Sequence, residues 1–258
     1  MKKVFFFDID GTLLPNGRKT PIESTVYAIK ELIKSDHTVF IATGKNLQDA
    51  KTIGSMLGVE NFMSTNGQTI FFEGEFIDRQ FMKKTDLEYW RKLASDYDCA
   101  IGMQSDYDRY VIESEKIHLI EEFFDIVNLE YPVVEKEIRD EENINQMFIA
   151  GDFEKIKYDK SKYKIVQWTE IGADVLPIDA SKGRAISFFI DQHPEYVETY
   201  AFGDGHNDLE MFEQVEYSVA MGNSHEDVKM KAKYVTNSDT ENGIYNFLVK
   251  HRLIKELK

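Results

Sequence analysis

Four consecutive apolar residues, Val4-Phe5-Phe6-Phe7, run straight into Asp8-Ile9-Asp10-Gly11-Thr12, and this junction constrains the fold more than any other stretch. A short, wholly apolar run closed by glycine predicts a buried strand. Two carboxylates two residues apart at its end then stand where a parallel sheet gives way to its loops, the place where open α/β folds do chemistry. Burying a carboxylate costs on the order of several kcal/mol unless it is paired or binds a metal. Here two are crowded together, which points to use.

The outer thirds of the chain alternate strand and helix. Thr20-Pro21-Ile22-Glu23 has the form of a capping box with proline at the first helical position and predicts a helix from about Pro21 to Ser35. The apolar run Thr38 to Ala42 predicts a second strand. Asn46 is placed to cap a helix that Gly58 stops, and Asn61 to Thr65 reads as a third strand. In the last third, Ser181 is placed to cap a helix through about Asp191, Thr199 to Phe202 reads as a strand, and Asn207 to Glu213 as a short helix. A strand from Tyr217 to Ala220 ends at Met221-Gly222-Asn223. Tyr234 to Thr236 is a further strand candidate, and Glu241 to His251 a final helix.

Between about Met82 and Pro177 the texture changes. Thr85-Asp86-Leu87-Glu88 predicts another helix start, strand candidates fall near Cys99 to Gln104, Gln146 to Ala150 and Lys164 to Trp168, and charged helical segments such as Ser114 to Phe124 separate them. Asp140-Glu141-Glu142 reads as a solvated turn. The expected fold class is α/β: a Rossmann-like doubly wound parallel-sheet core from residues 1–81 and 178–258, with an inserted α+β domain over 82–177.

Charge narrows the function. Asp and Glu total 46 against 31 Lys and Arg, a formal net charge of -15. That argues against nonspecific binding to nucleic acid or anionic lipid, which needs basic patches. No stretch approaches the length of a membrane span, and Asp8 and Asp10 interrupt any signal-peptide apolar region. A single cysteine, Cys99, excludes an intrachain disulfide and suits a reducing compartment. With no arginine six residues on, Cys99 reads as a small core residue. A cytoplasmic protein is expected, as a monomer or weak homodimer, with no nucleic-acid or membrane partner.

Polar residues follow each apolar run of the outer thirds: Asp8 and Asp10 after the first, Thr43-Gly44-Lys45 after the second, Asn66-Gly67 after the third, and Gly203-Asp204-Gly205-His206-Asn207-Asp208 after the late one. In a parallel sheet these ends lie along one edge. Asp106-Tyr107-Asp108 repeats the carboxylate spacing without an apolar run before it, and Gly151-Asp152 lacks an Asn-Asp partner; both read as surface loops of the insertion. Trp90, Trp168, Tyr107 and Tyr110 read as core aromatics, and His206 as a loop residue. No P-loop signature is present.

On Asp8-Ile9-Asp10-Gly11-Thr12 and Gly203-Asp204 through Asn207-Asp208, in that order and spacing, the chain resembles the haloacid dehalogenase superfamily. The resemblance is to its Cof-type phosphatases, which carry a large α/β cap after the second motif, and it covers essentially the whole chain. It implies that Asp8 is the nucleophile, forming an aspartyl-phosphate, and that Asp10 is general acid to the leaving oxygen and then general base to water. It implies Mg²⁺ held by Asp8, the backbone carbonyl of Asp10 and Asp204, with Asp208 as a ligand or as a partner orienting the metal's waters. The Thr43 hydroxyl and the Gly44 and Ile9 backbone N–H groups match the phosphate cradle, and Lys182 the fixed positive charge. Asn207 is implied to bond phosphate or substrate, with helix capping as the rival role. The family often has Arg where this chain has Lys45, which keeps the charge and loses the bidentate fork. The implied activity is hydrolysis of a small phosphorylated metabolite, such as a sugar phosphate, pyridoxal phosphate or a flavin precursor. A phosphomutase of the same superfamily and a silent phosphometabolite-binding regulator are the rivals.

Overall fold

The computed structural model describes residues 2–112, 116–127, 129–137 and 143–257. In chain order the elements are β1 (Lys3–Phe7), α1 (Glu23–Lys34), β2 (Thr38–Ala42), α2 (Leu47–Leu57), β3 (Asn61–Ser64), β4 (Thr69–Phe72), β5 (Glu75–Arg79), α3 (Lys84–Asp96), β6 (Ala100–Gln104), β7 (Arg109–Ile112), α4 (Ile117–Val127), β8 (Val133–Glu135), β9 (Gln146–Ala150), β10 (Tyr163–Thr169), β11 (Gly172–Pro177), α5 (Lys182–Gln192), β12 (Glu198–Gly203), α6 (Leu209–Phe212), β13 (Tyr217–Ala220), α7 (Glu226–Lys231), β14 (Tyr234–Val235) and α8 (Gly243–Lys250). The chain divides into two compact units, one from Met1–Arg79 and Ser181–Lys258, the other from Gln80–Ala180. No helix among the described residues is long and apolar enough to cross a membrane.

The first unit is a sheet between two helical layers. Strand order is β14-β13-β12-β1-β2-β3-β4-β5, parallel from β14 through β3. β1 shows why its run of phenylalanines is a strand. Phe5 and Phe7 point into a core with α1, α2 and α8, and Val4 and Phe6 into a core with α5, α6 and α7. All four are fully buried, and truncating one such phenylalanine to alanine costs about 3–5 kcal/mol. Local signals set the helix ends on this unit: the Asn46 side chain accepts the Asp49 N–H at 2.8 Å, and Gly58 closes α2 at φ 78°.

Two expectations need correcting here. The sheet is not parallel throughout, because β4 and β5 add an antiparallel hairpin at its edge. α1 starts at Glu23 rather than Pro21; Ile22 is its cap residue and makes no side-chain cap bond. The Thr20 box therefore does not form, and the buried face of Ala28, Ile29 and Leu32 seats the helix instead.

The second unit is a sheet of order β10-β11-β9-β6-β7-β8, antiparallel except for β7 with β8. One face packs on α3 and the other on α4. The apolar pattern of the sequence does not predict β7, β8 or β11. α3 starts ahead of Thr85, with Asp86 accepting the Lys83 N–H at 3.0 Å. Trp90 and Tyr110 are buried core residues, whereas Tyr107 is exposed. Asp106 is buried too, contrary to the surface loop expected for it. Cys99 packs in the core, and burial pushes its thiol up to about 11. Asp140-Glu141-Glu142 and the expected helix start at Ser114 lie outside the described residues.

Candidate active site

From β1 the chain moves outward through β2 and β3, and from β12 it moves the opposite way through β13 and β14. The sheet order therefore reverses between β1 and β12, which lie side by side with Phe7 paired to Phe202. Asp8 and Asp204, just past the ends of these two strands, emerge together at the crevice where open α/β sheets bind ligands. Gly11 makes this approach possible. Its φ is +75°, and a Cβ there would lie 2.2 Å from Asp204 Oδ2.

Asp8 is 7% exposed and Lys182 1% exposed. Lys182 opens α5, behind a Ser181 cap whose hydroxyl accepts the Arg184 N–H at 3.0 Å. Its Nζ donates to Asp8 Oδ1 at 2.5 Å and to Asp208 Oδ1 at 2.7 Å. Burial alone would discharge this lysine, but Asp208 and Asp8 outweigh it and hold the ammonium pKa above its ordinary value. The other oxygen of Asp208 accepts the N–H groups of Asp204 and Gly205, each at 3.0 Å. Asp208 thus ties the loop after β12 to the lysine.

Negative charge is in excess around this lysine. Burial pushes the Asp8 carboxyl well above the usual range; Lys182 pulls it back, and Asp208, Asp10 and Asp204 push it up again. Burial and then the charge of Asp208 raise Asp204 to about 7. Asp8, Asp204 and Asp208 offer carboxylate oxygens that all lie within 4.8 Å of one another. An all-oxygen donor set short of positive charge suits a hard divalent cation. The residues fit Mg²⁺.

The remaining sequence candidates divide. The Asp10 side chain lies outside that trio; it is 62% exposed and accepts from Lys45 Nζ at 2.8 Å. Thr43 is buried, and its hydroxyl oxygen accepts the Lys45 N–H at 3.1 Å, leaving the hydroxyl hydrogen to donate elsewhere. Gly44 sits against the Asn66 carboxamide. The backbone binds this loop to the turn after β3, through Thr65 N–H to Lys45 O at 2.8 Å and Asn66 N–H to Thr43 O at 3.0 Å. Ile9 is buried in the loop after β1. Asn207 is exposed, and Gly205 rather than Asn207 is the cap of the short 3-10 turn there. His206 is exposed and paired with Asp227 at 2.5 Å.

Sequence reasoning missed the contacts that four residues make at this site. Lys45 meets Asp10. Thr12 Oγ1 approaches Asp204 Oδ1 at 3.5 Å. Asn223 Nδ2 donates to Gly11 O at 2.9 Å and approaches Asp204 Oδ2 at 3.3 Å. Asp239 is buried and accepts the Asn16 N–H at 3.1 Å. The available signal for Asn223 was its place just past the end of β13, on the same rim as the other polar residues.

A family model for haloacid dehalogenase-like hydrolases matches residues 5–248. The chain belongs to that family. Among curated relatives, the protein YkrA of Bacillus subtilis (strain 168), provisionally named a phosphatase, is 33% identical over 245 residues, covering 94% of this chain and 95% of that one. The 5-amino-6-(5-phospho-D-ribitylamino)uracil phosphatase YwtE of the same strain is 27% identical over 280 residues, covering 95% and 96%. A crystal structure from Geobacillus kaustophilus HTA426 superposes with a TM-score of 0.89 at 30% identity, over 98% of this chain and all of the other. This haloacid dehalogenase-like hydrolase stands among the Cof-type phosphatases of the family.

Proposed function

We propose that this hydrolase cleaves phosphate monoesters of small metabolites through a covalent intermediate on Asp8, with Mg²⁺ as cofactor. The observation that carries the reading is the buried Asp8 carboxylate, bonded to Lys182 at 2.5 Å at the head of a three-carboxylate cluster. Asp8, Asp204 and the Asp10 carbonyl would hold Mg²⁺, which when bound offsets the repulsion between these carboxylates and the phosphate dianion.

Lys182 works against the burial that raises the Asp8 carboxyl and supplies positive charge beside the phosphoryl oxygens. Thr43 turns its free hydroxyl hydrogen, and Gly44 and Ile9 their amides, toward charge that grows on those oxygens. An Asp8 oxygen bonds to phosphorus as the ester P–O bond breaks, and Asp10 gives its proton to the departing oxygen. Asp10, now a carboxylate, takes a proton from water as that water's oxygen bonds to phosphorus and the Asp8–phosphorus bond breaks. Inorganic phosphate leaves, and Asp10 is protonated again for the next cycle. Asp208 acts by positioning, since both of its oxygens are committed to Lys182 and to the Asp204 loop. The relative YwtE, named for a phosphorylated ribityl-uracil, supports a small phosphorylated metabolite as the substrate class.

The test is phosphate release from a panel of phosphorylated metabolites with and without Mg²⁺, on wild type and Asp8→Asn. Mg²⁺-dependent release that falls by about 10³-fold or more in the variant is expected. Isomerised sugar phosphate without phosphate release would make the protein a mutase. Asp8→Asn activity within a few-fold of wild type would remove Asp8 as nucleophile.

A further inference from the structure

Met221-Gly222-Asn223 leaves β13 and turns immediately against the loop after β14. The Gly222 N–H donates to Asn237 O at 3.0 Å, and a Cβ at residue 222 would lie 2.6 Å from Ser238 N. Only glycine lets the two loops touch so closely. The contact fixes Asn223, whose Oδ1 accepts the Asp239 N–H at 2.9 Å. With the oxygen engaged there, the amide orientation follows from its partners: Nδ2 faces Gly11 O at 2.9 Å and Asp204 Oδ2 at 3.3 Å. Asp239 in turn accepts the Asn16 N–H. One device thereby pins the loop after β1 at two points, Gly11 and Asn16.

We infer that Asn223 is a positioning residue that orients the Asp204 carboxylate and the Gly11 peptide for cation binding, an inference that rests on the Mg²⁺ reading above. Chemistry favours a carboxamide at this place. A lysine would neutralise Asp204 and compete with the cation, and an aspartate would offer no hydrogen. A neutral N–H donor aims the carboxylate and leaves its charge available, as partners of metal-ligating carboxylates do. Asn223 adds an outside anchor to a turn that is also held from within, by Gly11 N–H to Leu14 O at 2.8 Å.

The experiment is a Mn²⁺ titration followed by the free-ion electron paramagnetic resonance signal, with Mg²⁺ as competitor, on wild type, Asn223→Ala and Asn223→Ser. Both variants should bind Mn²⁺ and Mg²⁺ roughly tenfold or more weakly, while the metal-free melting temperature falls by only about 2–4 °C. At saturating Mg²⁺ the kcat for phosphate release should recover most of the wild-type value, a split that a general loss of structure would not produce. Wild-type affinity in both variants overturns the inference and leaves the metal reading standing. A wild type that takes up neither ion overturns both. Should Asn223→Ala not fold, Asn223→Ser decides alone, since its hydroxyl is too short to reach Asp204.

Discussion

At Lys182 a buried ammonium bridges Asp8 and Asp208, and its removal would leave two carboxylates facing each other away from water. Lys182→Met should lower stability by about 3–5 kcal/mol in metal-free buffer. Adding Asp208→Asn should restore part of that loss, which denaturant melts of the single and double variants would measure. An unchanged midpoint in Lys182→Met would mean that the ammonium sits in water. His37 presents the opposite case. Burial and then the charge of Lys3 lower its pKa, and its Nδ1 is buried without a partner. The unfolded chain therefore binds the proton more readily, so this contribution to stability is complete above the unfolded value of about 6.5 and is lost as pH falls below it. Melting temperatures of wild type should drop more steeply from pH 7 to 5 than those of His37→Gln; parallel curves would refute the assignment. At this scale residue type and spacing singled out Asp8, Asp10 and Asp204 as candidates, and Lys182 became one only through the family resemblance. It did not announce Lys45 as the partner of Asp10 or Asn223 as the partner of Asp204, because a lone lysine or asparagine in a loop carries no periodic signal.

Among elements, the turn after β3 carries strain at two consecutive residues. Thr65 and Asn66 hold φ values of 50° and 53°, a region that costs a β-branched residue about 1–2 kcal/mol. Thr65 is fully buried, and its hydroxyl has no partner. The strain is compensated by the backbone bonds this turn makes to the Thr43–Lys45 loop. Thr65→Gly should relieve it and raise stability by about 1 kcal/mol, read from the denaturant midpoint; a lower midpoint would show that the threonine packs better than its backbone suffers. Element positions were legible wherever cap chemistry was local, as at Asn46, Gly58 and Ser181. They were not legible at α1, whose start is set by what its apolar face rests on, or at β4 and β5, which lie antiparallel where the alternation of strand and helix predicted none.

The whole molecule has two units with different relations to the chain. The unit from Gln80–Ala180 is continuous and owns two apolar clusters, one on each face of its sheet. The fragment 80–180 should therefore fold alone, with a single calorimetric transition of about 60–80 kcal/mol; a broad, non-cooperative melt would show that its core is insufficient. The other unit needs both ends of the sequence. The strands of the parallel sheet, the helix ends at Asn46, Gly58 and Ser181 and the supply of carboxylates were settled by the sequence itself, since periodicity and turn chemistry act over a few residues. Which oxygen meets which donor was settled only by the tertiary structure. The bond from Asn223 to Gly11 spans 212 positions and the one from Lys182 to Asp8 spans 174, and no local pattern encodes a distance that exists only after the sheet has brought its strand ends together.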